Sequence, residues 1–283
     1  MHTKNQRRNA INDLLVPKFR LMGEVAMTKQ AVLTAPPPIL VAHRGYSGRY
    51  PENTLLAFEA AYQHGARYME LDLQLSSDRV PILHHDTSLK RMSGIDLDIR
   101  DTKAKQVKAM NASYPQRFEE EFSDNRFTSF KKYCKWMARN DDVTTFVEIK
   151  QESIDRLGIP VLMDEVHKRI LSTDTESQCV IISFNHEVIE YTRNISSMRT
   201  GWVLPAWNDE NRLISIDLKP DFLFCDTDSF PRDDNDVWKG SWQWALYNLD
   251  DVNSAIEMAN RGIPFLETNQ IGSLMAHDGL ANR

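Results

Sequence analysis

Residues 39–75 read ILVAHRGYSGRYPENTLLAFEAAYQHGARYMELDLQL, and how this stretch is parsed decides the fold. It opens on an apolar run, Ile39 to Ala42, that ends abruptly at His43-Arg44-Gly45. Helical spacing of apolar residues follows over Thr54–His64. Tyr68–Leu75 then alternates. Side chains in a strand point to opposite faces with a period of two, so Met69, Leu71 and Leu73 share one face and Glu70, Asp72 and Gln74 the other. Strand, helix and strand in succession make a βαβ unit, the crossover that parallel neighbours require.

The rest of the chain repeats the theme. Further strands are expected at Thr144–Lys150, Cys179–Phe184, Thr200–Leu204, Phe222–Cys225, Trp244–Tyr247 and Pro264–Glu267. Helical periodicity covers Ser129–Arg139, Ile159–Leu171, His186–Arg193 and Asp250–Arg261. Eight strands with intervening helices predict a parallel (β/α)₈ TIM barrel, and 283 residues suit one such barrel. Val80–His85 is a further strand with no helix before it, expected to pair near the second barrel strand. Residues 87–127 are charged and rich in turn formers, and read as a small insertion after that strand.

Residues 1–38 form an N-terminal extension, expected to be loosely ordered, with the barrel over 39–283. The extension carries more Lys and Arg than Asp and Glu, and Pro36-Pro37-Pro38 stiffens its exit. A basic amphipathic helix is the sharper alternative, and Met27 is a second possible start. Charged residues keep interrupting the region, unlike a secretory signal.

Hydrophobic residues make up 41% of the chain and charged ones 26%, ordinary for a soluble globular protein. A net charge of −6 without a basic stripe argues against a nucleic-acid partner. No stretch approaches the ~20 apolar residues of a membrane span. Cys134, Cys179 and Cys225 are few, odd in number and far apart, which suits reduced thiols and a cytoplasmic location.

Strand alternation also puts Glu148 and Lys150 on one face of Phe146–Lys150. Carboxylates inside a barrel are costly unless paired or bound to a cation. Glu70, Asp72 and Glu148 could therefore make an all-oxygen site for one divalent ion, Mg²⁺ or Ca²⁺. Equally, they could pair with Arg44 and Lys150 as structural salt bridges. His43 ends the first strand, and His84 and His85 end the Val80–His85 strand. Asp86 could orient His85, but alternation alone does not choose between the neighbouring histidines.

The blocks AHRG…PENT, AFEAAYQHGARYMELDLQLSSD, VPILHHD, FVEIK and VIISF, in this order, resemble the glycerophosphodiester phosphodiesterases of the phospholipase-C-like barrel superfamily. The resemblance runs from about residue 39 to about 185 and more weakly beyond. It implies His43 and His85 as paired general acid and base, since the family motif is His followed by Asp. It implies Glu70, Asp72 and Glu148 as metal ligands, and Arg44 and Lys150 as phosphate-contacting cations. Glu52 would support the rim, or serve simply as a helix N-terminal carboxylate.

The resemblance further implies a small-molecule glycerophosphodiester substrate, hydrolysed to glycerol 3-phosphate and an alcohol. Two alternatives remain: a lysophospholipase-D-like activity on lipid phosphodiesters, and a catalytically silent phosphate-binding barrel. The chain departs from the family at Asp78-Arg79, where a Gly usually closes the turn, and at Tyr247-Asn248 and Thr268-Asn269. Those departures put the alcohol pocket in question, which Trp202, Trp207, Trp242 and Trp244 would either line or merely flank as packing.

Overall fold

The structure, a computed structural model, describes residues 31–280. The expectations for residues 1–30, namely loose order, an amphipathic helix and a start at Met27, lie outside the described residues. Residues 31–35 are held by side chains of a late helix, Val252–Asn260: Ala31 N–H donates to Asn253 Oδ1 at 3.0 Å and Thr34 N–H to Asn260 Oδ1 at 2.6 Å.

Nine strands are present among the described residues. They are β1 (Ile39–His43), β2 (Tyr68–Leu75), β3 (Pro81–Leu83), β4 (Thr144–Ile149), β5 (Cys179–Ser183), β6 (Arg199–Val203), β7 (Phe222–Asp226), β8 (Gln243–Tyr247) and β9 (Phe265–Thr268). Their order is β1-β9-β8-β7-β6-β5-β4-β2-β3, and a β1–β2 pairing closes the ring. Every pairing within the ring is parallel. The chain forms the (β/α)₈ barrel that the alternation predicts, and the eight barrel strands start and stop within one residue of the sequence reading.

The ninth strand explains itself by register. β1 pairs with β2 only as far as His43↔Glu70, whereas β2 runs on to Leu75. β3 takes the vacated edge, antiparallel, with Leu73↔Leu83 and Leu75↔Pro81. The expected strand Val80–His85 is thus shorter, because Pro81 and the turn before it limit pairing at one end. The insertion that follows is built from four-residue helices on a small apolar cluster of its own, Leu89, Met92, Ile99 and Val107 with Ile82.

Alternation sorts the rest. Leu40, Met69, Leu71, Val147 and Ile181 face the helices. Val41, Phe146, Val180, Phe222, Phe224 and Phe265 point into the barrel. Phe146 meets Phe222 and Phe224 edge-on, each at 5.0 Å between ring centres, and packs against Phe265 as well. These rings fill the barrel, and burying each stabilises the fold by roughly 1.5–3 kcal/mol. Together they form a floor beneath the C-terminal ends of the barrel strands. The charged residues gather there.

Candidate active site

A cavity of about 160 Å³ opens at that end of the barrel. One wall is charged: His43, Arg44, Glu70, His85, Glu148 and Lys150. The other is largely apolar: Ile182, Phe184, Val203, Phe224 and Tyr247, with Asn248 and Glu267 completing the lining. All the sequence-predicted site residues except Asp72 line the cavity directly. Asp72 lies beneath the charged wall, completely buried.

Arg44 follows β1 in the left-handed region (φ 55°), which turns its guanidinium back toward β2. Its Nε lies 3.0 Å from Asp72 Oδ2 and its Nη1 3.0 Å from Glu52 Oε1. Its backbone N–H donates to Glu70 Oε2 at 3.1 Å. Burial opposes its charge, but Asp72, Glu52 and Glu70 together hold the guanidinium charged well above its ordinary range. Glu52 is bridged by Arg44 and, at 2.8 Å, by Arg91. The helix-terminal alternative for Glu52 is not used: the helix Leu55–Gln63 is capped by Thr54, whose hydroxyl accepts from Ala57 N–H, and has no acidic residue in its first turn.

Asp72 is surrounded by donors. Asn53 Nδ2 donates to its Oδ2 at 2.8 Å, and Lys150 Nζ lies 3.4 Å from its Oδ1. Burial works against ionisation here too, yet Arg44 and Lys150 keep this carboxyl far below the usual carboxylate range. Glu148 accepts from Lys150 Nζ at 2.8 Å. Burial and the neighbouring Asp72 still raise its pKa, because one ammonium serves two carboxylates.

Glu70 Oε1, like Asp72 Oδ1, is buried with no hydrogen-bond partner, and unlike Asp72 it has no Arg or Lys side chain within ion-pair distance among the described residues. Burial, Asp72 and Glu267 push its pKa well above the ordinary value. Arg44 and Lys150 thus offset the charge of Asp72 and Glu148, while Glu70 Oε1 and Asp72 Oδ1 are left without a hydrogen bond. A buried unpaired acceptor costs about 1–3 kcal/mol. Glu70, Asp72 and Glu148 each offer an oxygen within 4.8 Å of the others, and hard oxygen donors of this kind fit a divalent cation.

His43 and His85 are held differently. His43 Nδ1 lies 2.8 Å from Asn269 Oδ1, and its Nε2 lies 3.5 Å from Glu267 Oε1 and 3.8 Å from Glu70 Oε2. Burial first, and then Arg44, lower its pKa to about 4. His85 Nδ1 lies 2.8 Å from Asp86 Oδ1, and Asp86 is gripped by Arg91 Nε at 2.7 Å. His84, which alternation does not separate from His85, is buried with Nε2–H donating to Ser88 O at 3.0 Å and its ring against Phe127. Gln74, on the same face as Glu70, donates to the carbonyl of His85 at 3.2 Å and so fixes the loop that carries it.

Glu267 is absent from the sequence reading. Its carboxyl groups with His43 and Glu70 at the same spacing that unites the other three. The signal was available: the alternation that turns Phe265 inward on β9 turns Glu267 inward as well. Asn269 was legible only as a departure from the resembled family and Asn53 only as part of PENT, because both sit in loops or at strand ends where no periodicity shows what they contact. None of Trp202, Trp207, Trp242 and Trp244 lines the cavity. Trp202 faces outward with Nε1 donating to Phe184 O, and Trp207 and Trp244 stack on one another at 5.5 Å. The smaller rings Phe184, Phe224 and Tyr247 form the apolar wall instead.

The cavity thus sits in a closed parallel barrel with a phenylalanine floor, carboxylates and cations on one wall and two histidines at its mouth. Residues 43–217 match the sequence model of the glycerophosphoryl diester phosphodiesterase family, and the chain belongs to that family. It is 30% identical over 148 residues to a glycerophosphodiester phosphodiesterase of Caldanaerobacter subterraneus, covering 52% of this chain and 58% of that protein. It is also 30% identical over 217 residues to glycerophosphodiester phosphodiesterase 1 of Bos taurus, covering 74% of this chain and 60% of that protein. The chain thus spans somewhat over half the length of these curated relatives. Its fold is similar to that of an Oleispira antarctica phosphodiesterase solved in complex with the product sn-glycerol-3-phosphate, with a TM-score of 0.75 at 20% identity over 85% of this chain and 96% of that one. Among the described residues, no helix is long and apolar enough to cross a membrane.

Proposed function

We propose that the chain hydrolyses glycerophosphodiesters to glycerol 3-phosphate and an alcohol, with His43 and His85 as the paired acid and base. The observation that carries this reading is the unsatisfied Glu70 carboxylate on the wall that also bears both histidines, Arg44 and Lys150. Glu70, Asp72 and Glu148 are the residues that would hold one divalent ion, Mg²⁺ or Ca²⁺. When bound, such an ion draws charge from the non-bridging phosphate oxygens.

The remaining work falls to side chains. Arg44 and Lys150 place fixed positive charge against a phosphodiester anion, and preorganised charge of this kind stabilises the charge that develops in the transition state. One histidine removes the proton of the attacking hydroxyl while the other delivers a proton to the leaving alkoxide. If the substrate's own glycerol hydroxyl attacks first, a cyclic phosphate forms and water opens it, and the histidines exchange roles. Buried Phe146 and Phe224 beneath the cavity keep solvent from entering by the barrel axis.

A second reading has its own support. Phe184 is 41% exposed beside Ile182 and Val203 on the cavity wall, and an alcohol carrying an apolar chain would cover it. The three cysteines are buried and free, which suits a reducing compartment such as the cytoplasm.

The test is glycerol 3-phosphate release from a panel of glycerophosphodiesters, including lysophospholipids, with and without chelator. Release that stops with chelator and returns with Mg²⁺ or Ca²⁺ supports the reading. Glu70→Gln should lose divalent binding by calorimetry and lose activity together; a variant that binds the ion with wild-type affinity removes Glu70 from the site.

A further inference from the structure

Asn269, at the end of β9, has every polar group engaged. Its backbone N–H donates to Asp250 Oδ1 at 2.8 Å, and its backbone oxygen accepts from Gly48 N–H at 2.7 Å. Its side-chain amide lies between Asp250 Oδ2, at 2.9 Å, and the pair His43 Nδ1 and Ser47 Oγ, each at 2.8 Å. Chemistry decides which end of the amide faces which neighbour. An ionised carboxylate only accepts hydrogen bonds, so the NH₂ must face Asp250. The amide oxygen then faces His43, and an oxygen can bond only to a ring nitrogen that carries a proton. Nδ1 is therefore the protonated nitrogen, and in the neutral ring Nε2 is bare. That bare nitrogen looks into the cavity, with Glu267 Oε1 at 3.5 Å and Glu70 Oε2 at 3.8 Å.

We propose that Asp250 and Asn269 are positioning residues that set the tautomer of His43, which makes its Nε2 the general base of the first step and His85 the acid. Nε2 takes the proton of the attacking hydroxyl as that oxygen bonds to phosphorus. The bond from phosphorus to the leaving oxygen breaks, and that oxygen takes its proton from His85. His85 is suited to the part because Asp86 Oδ1, 2.8 Å from Nδ1, accepts from the protonated ring. The amide of Asn269 orients the ring by its two unlike ends, which a carboxylate does not have. The kinetic arm of this inference rests on the proposed hydrolysis; the spectroscopic arm does not.

The experiment is nitrogen NMR of the full chain labelled with ¹⁵N-histidine near neutral pH, with His43 assigned by the signal lost in His43→Gln. Wild type should show a protonated Nδ1 and a bare Nε2 for His43. Asp250→Asn, nearly isosteric, frees the amide to flip, so the opposite tautomer should emerge. In the same variant kcat should fall by on the order of 10² or more, the range for a lost proton acceptor, while KM holds. A wild-type His43 protonated on Nε2 overturns the inference. So does an Asp250→Asn variant that keeps both the wild-type tautomer and the wild-type kcat. Should the chain release no glycerol 3-phosphate from any substrate, the hydrolysis reading falls alone and the tautomer still decides this one.

Discussion

Two inward carboxyls of this barrel are pulled in opposite directions by their neighbours. Asp72 has Arg44 and Lys150 against it and stays ionised despite complete burial. Among the described residues Glu267 has only His43 within ion-pair distance, and burial pushes its pKa from 4.5 to about 8. The sign of the consequence follows from proton counting. Between pH 4.5 and about 8 the metal-free folded chain holds a proton on Glu267 that the unfolded chain has released, so this residue stabilises the fold at low pH and that contribution fades as pH rises. The metal-free wild type should therefore lose stability relative to Glu267→Gln across that window, by at most ~1.4 kcal/mol per pH unit. Denaturant melts of both proteins in chelator check it, and parallel pH profiles would show that Glu267 does not titrate there. Arg44 makes a second residue-scale case. Its planar fork reaches Asp72 and Glu52 at once, a geometry that an ammonium cannot reproduce. Arg44→Lys should lose about one charged hydrogen bond, ~1.5–3 kcal/mol. That corresponds to a drop of roughly 10- to 150-fold in kcat/KM, and unchanged steady-state kinetics would refute it.

Elements were legible where packing imposes a period, and illegible where it does not. The barrel strands bury both faces, so their apolar runs and inward charges were read almost to the residue. The helix Asp209–Leu218 was missed because its pattern is inverted: it buries Asn211 and Ser215 while Leu213 is 68% exposed and Ile216 47%. The insertion was read as irregular because its helices are too short to show a period. The turn after β2 was left in doubt by Asp78-Arg79, and the structure resolves it locally. Ser76 Oγ and Ala104 N–H both donate to Asp78 Oδ1, at 2.8 and 2.7 Å, and Arg79 takes the left-handed position at φ 59°. A residue with a side chain is strained there by about 1–2 kcal/mol, and glycine gives back part of the relief in unfolded-state entropy. Arg79→Gly should thus gain ~0.5–1 kcal/mol in chemical denaturation without altering activity. A loss of stability would mean that the Arg79 side chain makes a contribution that the backbone argument overlooks.

At the scale of the whole molecule, strand order and side-chain chemistry are one fact. Closing the ring brings β9 beside β1, and so puts Asn269 and Glu267 against His43 although more than two hundred residues separate them. The histidines, the ExD pair, Glu148 and the two cations could be named from local motifs. Glu267 was legible only as an inward carboxyl, by the alternation of β9, and Asn269 and Asp250 not as neighbours of His43, because that contact exists only once the barrel is closed. What no strand pattern supplies is the proposed division of labour between His43 and His85, and the proposed hydrolysis requires both. The most direct measurement is the rate of glycerol 3-phosphate release by wild type, His43→Ala and His85→Ala from the same glycerophosphodiester with divalent ion present. Each substitution should cost on the order of 10² to 10⁴ in rate, the range of a positioned proton donor or acceptor. Near wild-type release by both variants would contradict the two-histidine mechanism.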